Sequence, residues 1–192
     1  MIAETKYIHA PQITSIHISE LRGDFLPSLG FNFLQSVYQG VIGRKRIWSF
    51  IYIEKGEVGG FIIGTSDMGY FFKEAMRENF LKLAFFLLIK LILNPFLIKN
   101  VLETFLYPKK EIGPKAELVV IAVMKKFQGK GIGKKLMLKL EEVFQENKVK
   151  NYKVTVHQDK KANSFYEYLN FKRVGEFSLY GKIWYTYEKT IS

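Results

Sequence analysis

The sequence predicts a mixed α/β (α+β) domain: a central sheet flanked by helices, with a helical insertion ahead of the central strand. Three observations predict it. Residues 118–147 read as a buried strand (Leu118–Val123), a short turn (Met124–Phe127), a glycine-rich loop (Gln128–Lys134) and a long amphipathic helix. Strand and helix patterns alternate around that unit. The strand patterns Ile47 to Glu54 and Val58 to Gly64 flank Lys55-Gly56-Glu57, which has the composition of a hairpin turn. One domain, residues 1–192, accounts for the chain, with the insertion at about 69–108.

In order along the chain, Tyr7-Ile8-His9 reads as a first short strand. Pro11-Gln12 opens a helix to about Glu20, with proline in the first turn where its missing N–H costs nothing. Gly23 to Gly30 reads as a loop whose apolar residues either line a pocket or pack against the core, with packing the commoner role. Apolar residues at 33, 34, 37, 38, 41 and 42 give Phe31 to Ile42 helical spacing. Gly59-Gly60 at the start of a strand points to a bulge or a close backbone contact. After the glycine loop, positions 132, 136, 137, 140, 143 and 144 form one apolar helix face up to about Asn147. Tyr152 to His157 is a strand, Lys160 to Leu169 a short helix, and Phe171 to Ser178 and Lys182 to Lys189 closing strands.

Residues 69–108 are the least ordinary part. Helical patterns cover Phe71 to Asn79, Phe80 to Leu93 and Phe96 to Leu106, with Asn94-Pro95 as a break, and Tyr107 to Pro114 reads as a linker. Lys82, Lys90 and Pro95 interrupt the apolar run before it reaches the roughly 20 residues of a membrane span. Two readings stay open. The helices pack on the sheet or on a second subunit in a homodimer, or 80–106 lies on the inner membrane face with its lysines at anionic headgroups.

Composition excludes several chemistries. Apolar residues make up 48%, which suits a packed core. There is no cysteine, so no disulfide, thiolate metal site or cysteine nucleophile is available. The three histidines, His9, His17 and His157, lack ligand spacing, and no metal is expected. A net charge of +11 suits an anionic partner. With no basic arm or recognition-helix motif, nucleic acid is not expected. The start, Met1 to Lys6, lacks a charged segment followed by an apolar one, so a cytoplasmic chain is expected.

The strand–loop–helix unit has the build of an anion site. Glycines let the backbone approach a ligand closely, and N–H groups at a helix start favour negative charge. Lys130 and Lys134 add positive charge. The spacing Gln128-x-x-Gly131-x-Gly133 is neither the dinucleotide fingerprint nor a P-loop; a plain turn and a diphosphate cradle are its two readings.

Three segments, Ala116 to Val123, Gln128 to Gly133 and Ala162 to Phe171, in this order and spacing, resemble the GNAT superfamily of acetyl-CoA-dependent N-acetyltransferases. The resemblance is strong over 116–176, weaker over 1–64, and silent on 69–108. It implies a GNAT-type mixed, splayed sheet with acetyl-CoA between Leu118–Val123 and Tyr152–His157. Pantetheine would pair with backbone groups of Ile121 and Val123, and the pyrophosphate would lie on Gln128, Gly129, Lys130, Gly131, Gly133 and Lys134. Tyr166 matches the tyrosine that protonates the departing thiolate; its other reading is a core aromatic. Glu117 matches a general base of part of the family; its other reading is a solvated strand-end residue. His157 and Asp67 are weaker candidates. Two positions depart from the pattern: Asp159 stands where many relatives carry asparagine, with Asn163 near enough to take over the cofactor contact, and Asn170 replaces a glycine.

The implied activity is direct acetyl transfer from acetyl-CoA to a primary amine of a small molecule. The insertion resembles that of GNAT members encoded among surface-polysaccharide genes, which points to an amino sugar or nucleotide sugar; a protein N-terminus or lysine and a small polyamine stay open as acceptors. The rival reading is a non-catalytic CoA-binding or membrane-associated interaction module.

Overall fold

The computed structural model describes residues 1–77, 79–107 and 113–191. Its centre is a seven-stranded sheet in the order β1-β2-β3-β4-β5-β7-β6. The strands are β1 (Ile2–Glu4), β2 (Ile47–Glu54), β3 (Glu57–Thr65), β4 (Glu117–Val123), β5 (Asn151–His157), β6 (Lys172–Leu179) and β7 (Lys182–Thr190). All neighbours are antiparallel except β4 and β5. Alternation puts two cores on the two faces. On one, Leu118, Val154 and Val156 meet Leu136, Leu140 and Phe144 of α7 (Ile132–Glu146) and Tyr166 of α8 (Ala162–Tyr168). On the other, Ile51, Phe61 and Ile63 meet α1 (Ala10–Glu20), α3 (Phe31–Val41) and α4 (Met68–Arg77).

Two readings of the first thirty residues change. Tyr7–His9 is a 3-10 turn, not a strand, and Ile2–Glu4 pairs with β2 instead. Tyr7 and Ile8 are 58% and 72% exposed, so they have no apolar face to bury in a sheet, and His9 Nδ1 accepts the Lys6 N–H at 3.0 Å to close the turn. Within 23–30, Phe25–Ser28 forms a short helix, α2, and Phe25 and Leu29 pack against Val101. The hairpin is as expected, with Lys55 and Gly56 both at positive φ (49° and 79°).

Between β3 and β4 run α4, α5 (Phe80–Leu93) and α6 (Leu97–Leu106). α4 crosses α3 so closely that a Cβ on Gly40 would lie 2.9 Å from the Ala75 carbonyl. Glu74 is buried there between Arg44 and Arg77, at 3.6 and 3.2 Å. α5 and α6 each bury a single residue, Leu83 and Val101. No described helix is long and apolar enough to cross a membrane. Residues 108–112 of the expected linker lie outside the described residues.

His17 is bonded to the Tyr38 hydroxyl beneath Phe61, and burial lowers its pKa from 6.5 to about 4. The unfolded chain therefore binds this proton first. The contribution is complete above pH 6.5 and lost as pH falls towards 4, a loss of about 3 kcal/mol. Urea unfolding at pH 7 and pH 4 should show the wild type losing that much more than His17→Gln; equal losses would contradict it.

Candidate active site

β4 and β5 touch at one point. Glu117 pairs with Lys153, the Lys153 N–H donates to the Ala116 carbonyl at 3.0 Å, and beyond that pair the strands part. A bulge contributes: Ile63 opposes Val120 and Gly64 opposes Leu118, leaving Val119 extra. An extra residue bends its strand and raises its twist.

The inner edge of the gap carries backbone groups that the β3–β4 ladder does not use. The Met124 N–H donates to the Gly59 carbonyl at 2.9 Å across β3. Antiparallel pairs alternate between bonded and non-bonded, so Val123 opposite Gly60 and Ile121 opposite Ile62 are non-bonded pairs. Their N–H and C=O groups face β5 and the gap.

At the end of β4, Lys125–Phe127 turn in a 3-10 helix, and Phe127 sits on Gly59, where a Cβ would fall 2.6 Å from its ring. Gly129 and Gly131 follow at φ 74° and 73°, and a Cβ at either would meet nothing within 4 Å. Gly131 caps α7 in a left-handed conformation with no side-chain cap, and the Lys135 N–H makes the first bond back, to the Gly131 carbonyl at 3.1 Å. The N–H groups of Ile132, Gly133 and Lys134 thus precede the helical ladder and point outward. A Cβ on Gly133 would press on Phe165 at 3.3 Å, so the start of α7 fits closely against α8. Lys130 Nζ lies over Phe127 and Lys134 Nζ over Tyr168, at 5.4 and 5.7 Å from the ring centres.

Gln128 does something the sequence did not suggest. Its Nε2 donates to the Val123 carbonyl at 2.7 Å and to Glu20 at 3.2 Å, and Glu20 also accepts the Lys125 N–H at 3.2 Å. The side chain fastens the loop, so the anion cradle is built of backbone. Asn163 is similar: its Nδ2 donates to the carbonyls of His157, Gln158 and Lys160, while its buried Oδ1 has no partner in the described structure. Asn170 takes the expected left-handed turn, at φ 65°.

At the junction of the strands lies a polar cluster. Glu117 is 3% exposed and so is not a solvated strand end. Its Oε1 accepts the Tyr107 hydroxyl at 2.8 Å and the Thr155 hydroxyl at 3.4 Å, and its Oε2 stands 4.0 Å from Lys153 Nζ, itself buried. Sequence reasoning missed Tyr107, Lys153 and Thr155. A signal existed in β5: Tyr152, Val154 and Val156 mark one face, which leaves Lys153, Thr155 and His157 together on the other. On that face His157 packs edge-on to Trp184 and Tyr107 meets Phe177, ring centres 5.8 and 5.9 Å apart.

Tyr166 is on the opposite face, 4% exposed, against Phe165, Phe171 and Tyr187. Burial pushes its phenol pKa well up, so it stays protonated at any physiological pH. Asp67 caps α4, its Oδ1 accepting the Tyr70 N–H at 3.0 Å.

A sheet parted between two parallel strands, with an uncapped helix start at the mouth of the gap, defines the fold of the GNAT acyltransferases. Residues 110–189 match the family model described as acetyltransferase (GNAT) domain. Solved structures with this fold include a ribosomal-protein-alanine N-acetyltransferase from Brucella melitensis (TM-score 0.64, 15% identity, covering 100% of this chain and 99% of that one). The ribosomal-protein-S18-alanine N-acetyltransferase from Escherichia coli gives 0.60 and 16%, covering 100% and 94%. An N-acetyltransferase from Thermoplasma acidophilum in complex with coenzyme A gives 0.60 and 14%, covering 100% and 98%. At these identities the likeness is one of fold. Comparison with curated proteins finds no match.

Proposed function

We propose that the protein transfers acetyl from acetyl-CoA to a primary amine by direct attack. The observation that carries this is the gap itself, with Ile121 and Val123 presenting backbone groups into it and the Gly129–Lys134 backbone forming an anion cradle at its mouth. These residues fit a pantetheine-diphosphate: strand-like groups for the amides, outward N–H groups and Lys130 and Lys134 for the phosphates. Asn163 Oδ1 is buried and unpartnered beside the gap strand β5 and would accept a further donor of the ligand.

Acetyl-CoA supplies the activated thioester. The protein binds, orients and moves protons. The Val123 N–H faces the gap and can donate to a developing oxyanion. Glu117, directly or through a water it orients, takes the proton of the amine. Tyr166, protonated because it is buried, supplies a proton to the leaving sulfur.

The amine enters from the face that carries Glu117, Lys153, Phe177 and Trp184. Half-buried aromatic rings beside the buried Glu117 carboxylate suit an amino sugar, and the net charge of +11 suits one carried on a phosphate or nucleotide. The reaction needs no membrane-spanning segment and fits the cytoplasmic side.

Acetyl-CoA at a hundredfold its Kd should stabilise the fold by about 2.7 kcal/mol, raising Tm by roughly 5–10 °C. NAD at the same concentration should do nothing. Thiol release should then be fastest with nucleotide-linked amino sugars, slower with peptide N-termini and polyamines. No shift with acetyl-CoA would overturn the reading; a shift with turnover on peptides alone would correct only the acceptor.

A further inference from the structure

The helices α5 and α6 leave a large apolar surface uncovered. Twelve large apolar side chains between Phe80 and Leu106 are at least 40% exposed. Leu81, Leu93 and Phe96 stand out most, at 80%, 75% and 89%. A soluble monomer rarely exposes a contiguous apolar patch beyond a few hundred Å². A helix that is apolar nearly all round, as α5 is, normally has a cover on every side, yet among the described residues only the side of Leu83 is covered.

The charges on this surface decide what covers it. Between 79 and 107 the sequence carries three lysines, Lys82, Lys90 and Lys99, and one acid, Glu103. Glu103 is turned inward, accepting the Tyr180 N–H at 2.5 Å, so residues 79–107 present an apolar outer face with exposed Lys82 and Lys99 and, among these residues, no exposed acid. Two copies meeting through this face would bring like charges together, each on a chain of net charge +11. An anionic lipid surface offers both the apolar layer and the opposite charge.

We propose that the α5–α6 face docks on anionic membrane, with Phe96 at the turn between the helices as its deepest point. The helices lie in the interface and do not span it. The docked element is tied to the site: Tyr107, which donates to Glu117, directly follows the exposed Phe105 and Leu106, and Thr104 and Glu103 hold Tyr180 on the β6–β7 turn. Docking therefore sets the acceptor side of the gap beside the headgroups.

The test is co-sedimentation with phosphatidylcholine vesicles with and without phosphatidylglycerol. Ile92→Asp/Phe96→Asp serves as the variant, because both side chains are largely exposed (71% and 89%) and removing them costs no core. The wild type should bind the anionic vesicles, bind less in high salt, and bind the neutral ones weakly. The variant should lose at least about tenfold in partitioning, since two apolar anchors become charged, with its melting temperature and acetyl-CoA affinity unchanged. Three results would each overturn the proposal: no binding of the wild type to anionic vesicles at low salt, equal binding by the variant, or a wild-type dimer in sedimentation that the variant dissolves, which would make the face a contact between copies.

Discussion

Replacing Tyr166 by phenylalanine should lower kcat by roughly 10²–10⁴-fold and leave the affinity for acetyl-CoA unchanged. The substitution removes one oxygen and keeps the ring that packs on Phe165, Phe171 and Tyr187. Stability should fall by no more than about 1.5 kcal/mol, the net worth of a typical hydrogen bond. Two roles thus separate cleanly. A proton donor loses rate and little else, whereas a core aromatic keeps its rate. Burial also raises the phenol pKa, so deprotonation of Tyr166 should produce no fall in kcat up to pH 10. A Tyr166→Phe enzyme with wild-type kcat would return Tyr166 to the core and leave the proton donor to be found elsewhere.

The parts of this protein that were legible from sequence are those whose signal is local. A strand followed by glycines and an amphipathic helix must turn in a particular way, and Gly129, Gly131 and Ile132–Glu146 do so. Asn170 could be read as a left-handed turn because few residues tolerate one. β1 was not legible, because three residues carry no periodicity and pairing with Tyr52–Phe50, some fifty residues on, decides it. Nor was the cluster around Glu117. Tyr107 comes from the end of α6 and Lys153 and Thr155 from β5, and only the sheet order brings them together. The Gln128 motif speaks for the loop backbone and is silent on the side chain, whose amide goes to the Val123 carbonyl and the Glu20 carboxylate. For residues 80–106 the sequence showed an apolar run; only packing shows that most of it faces outward.

Lys153→Met should cost about 3–5 kcal/mol, because it removes a buried cation 4.0 Å from the buried Glu117 carboxylate. Adding Glu117→Gln to it should recover much of that loss, since a neutral amide keeps the shape and still accepts from Tyr107. Loss and recovery would be read by denaturant unfolding as a double-mutant cycle. Rate and stability should respond differently. Glu117→Gln alone should cut kcat/KM by roughly 10²–10³-fold if its carboxylate takes the amine proton, and Lys153→Met should be assayed well below its own Tm so that unfolding does not mimic lost catalysis. A double variant that regains stability but not rate would identify the pair as a buried ion pair with one working member. Regain of both would mean that Glu117 only holds the junction of β4 and β5 together, and that the amine loses its proton to solvent. A double variant no more stable than Lys153→Met would show that the 4.0 Å separation is not an ion pair that matters to folding. The design uses the one place where the two strands touch: whatever sits there must join the sheet and, in the proposed reaction, face the acceptor, so the cycle separates the cost of a buried charge from its use.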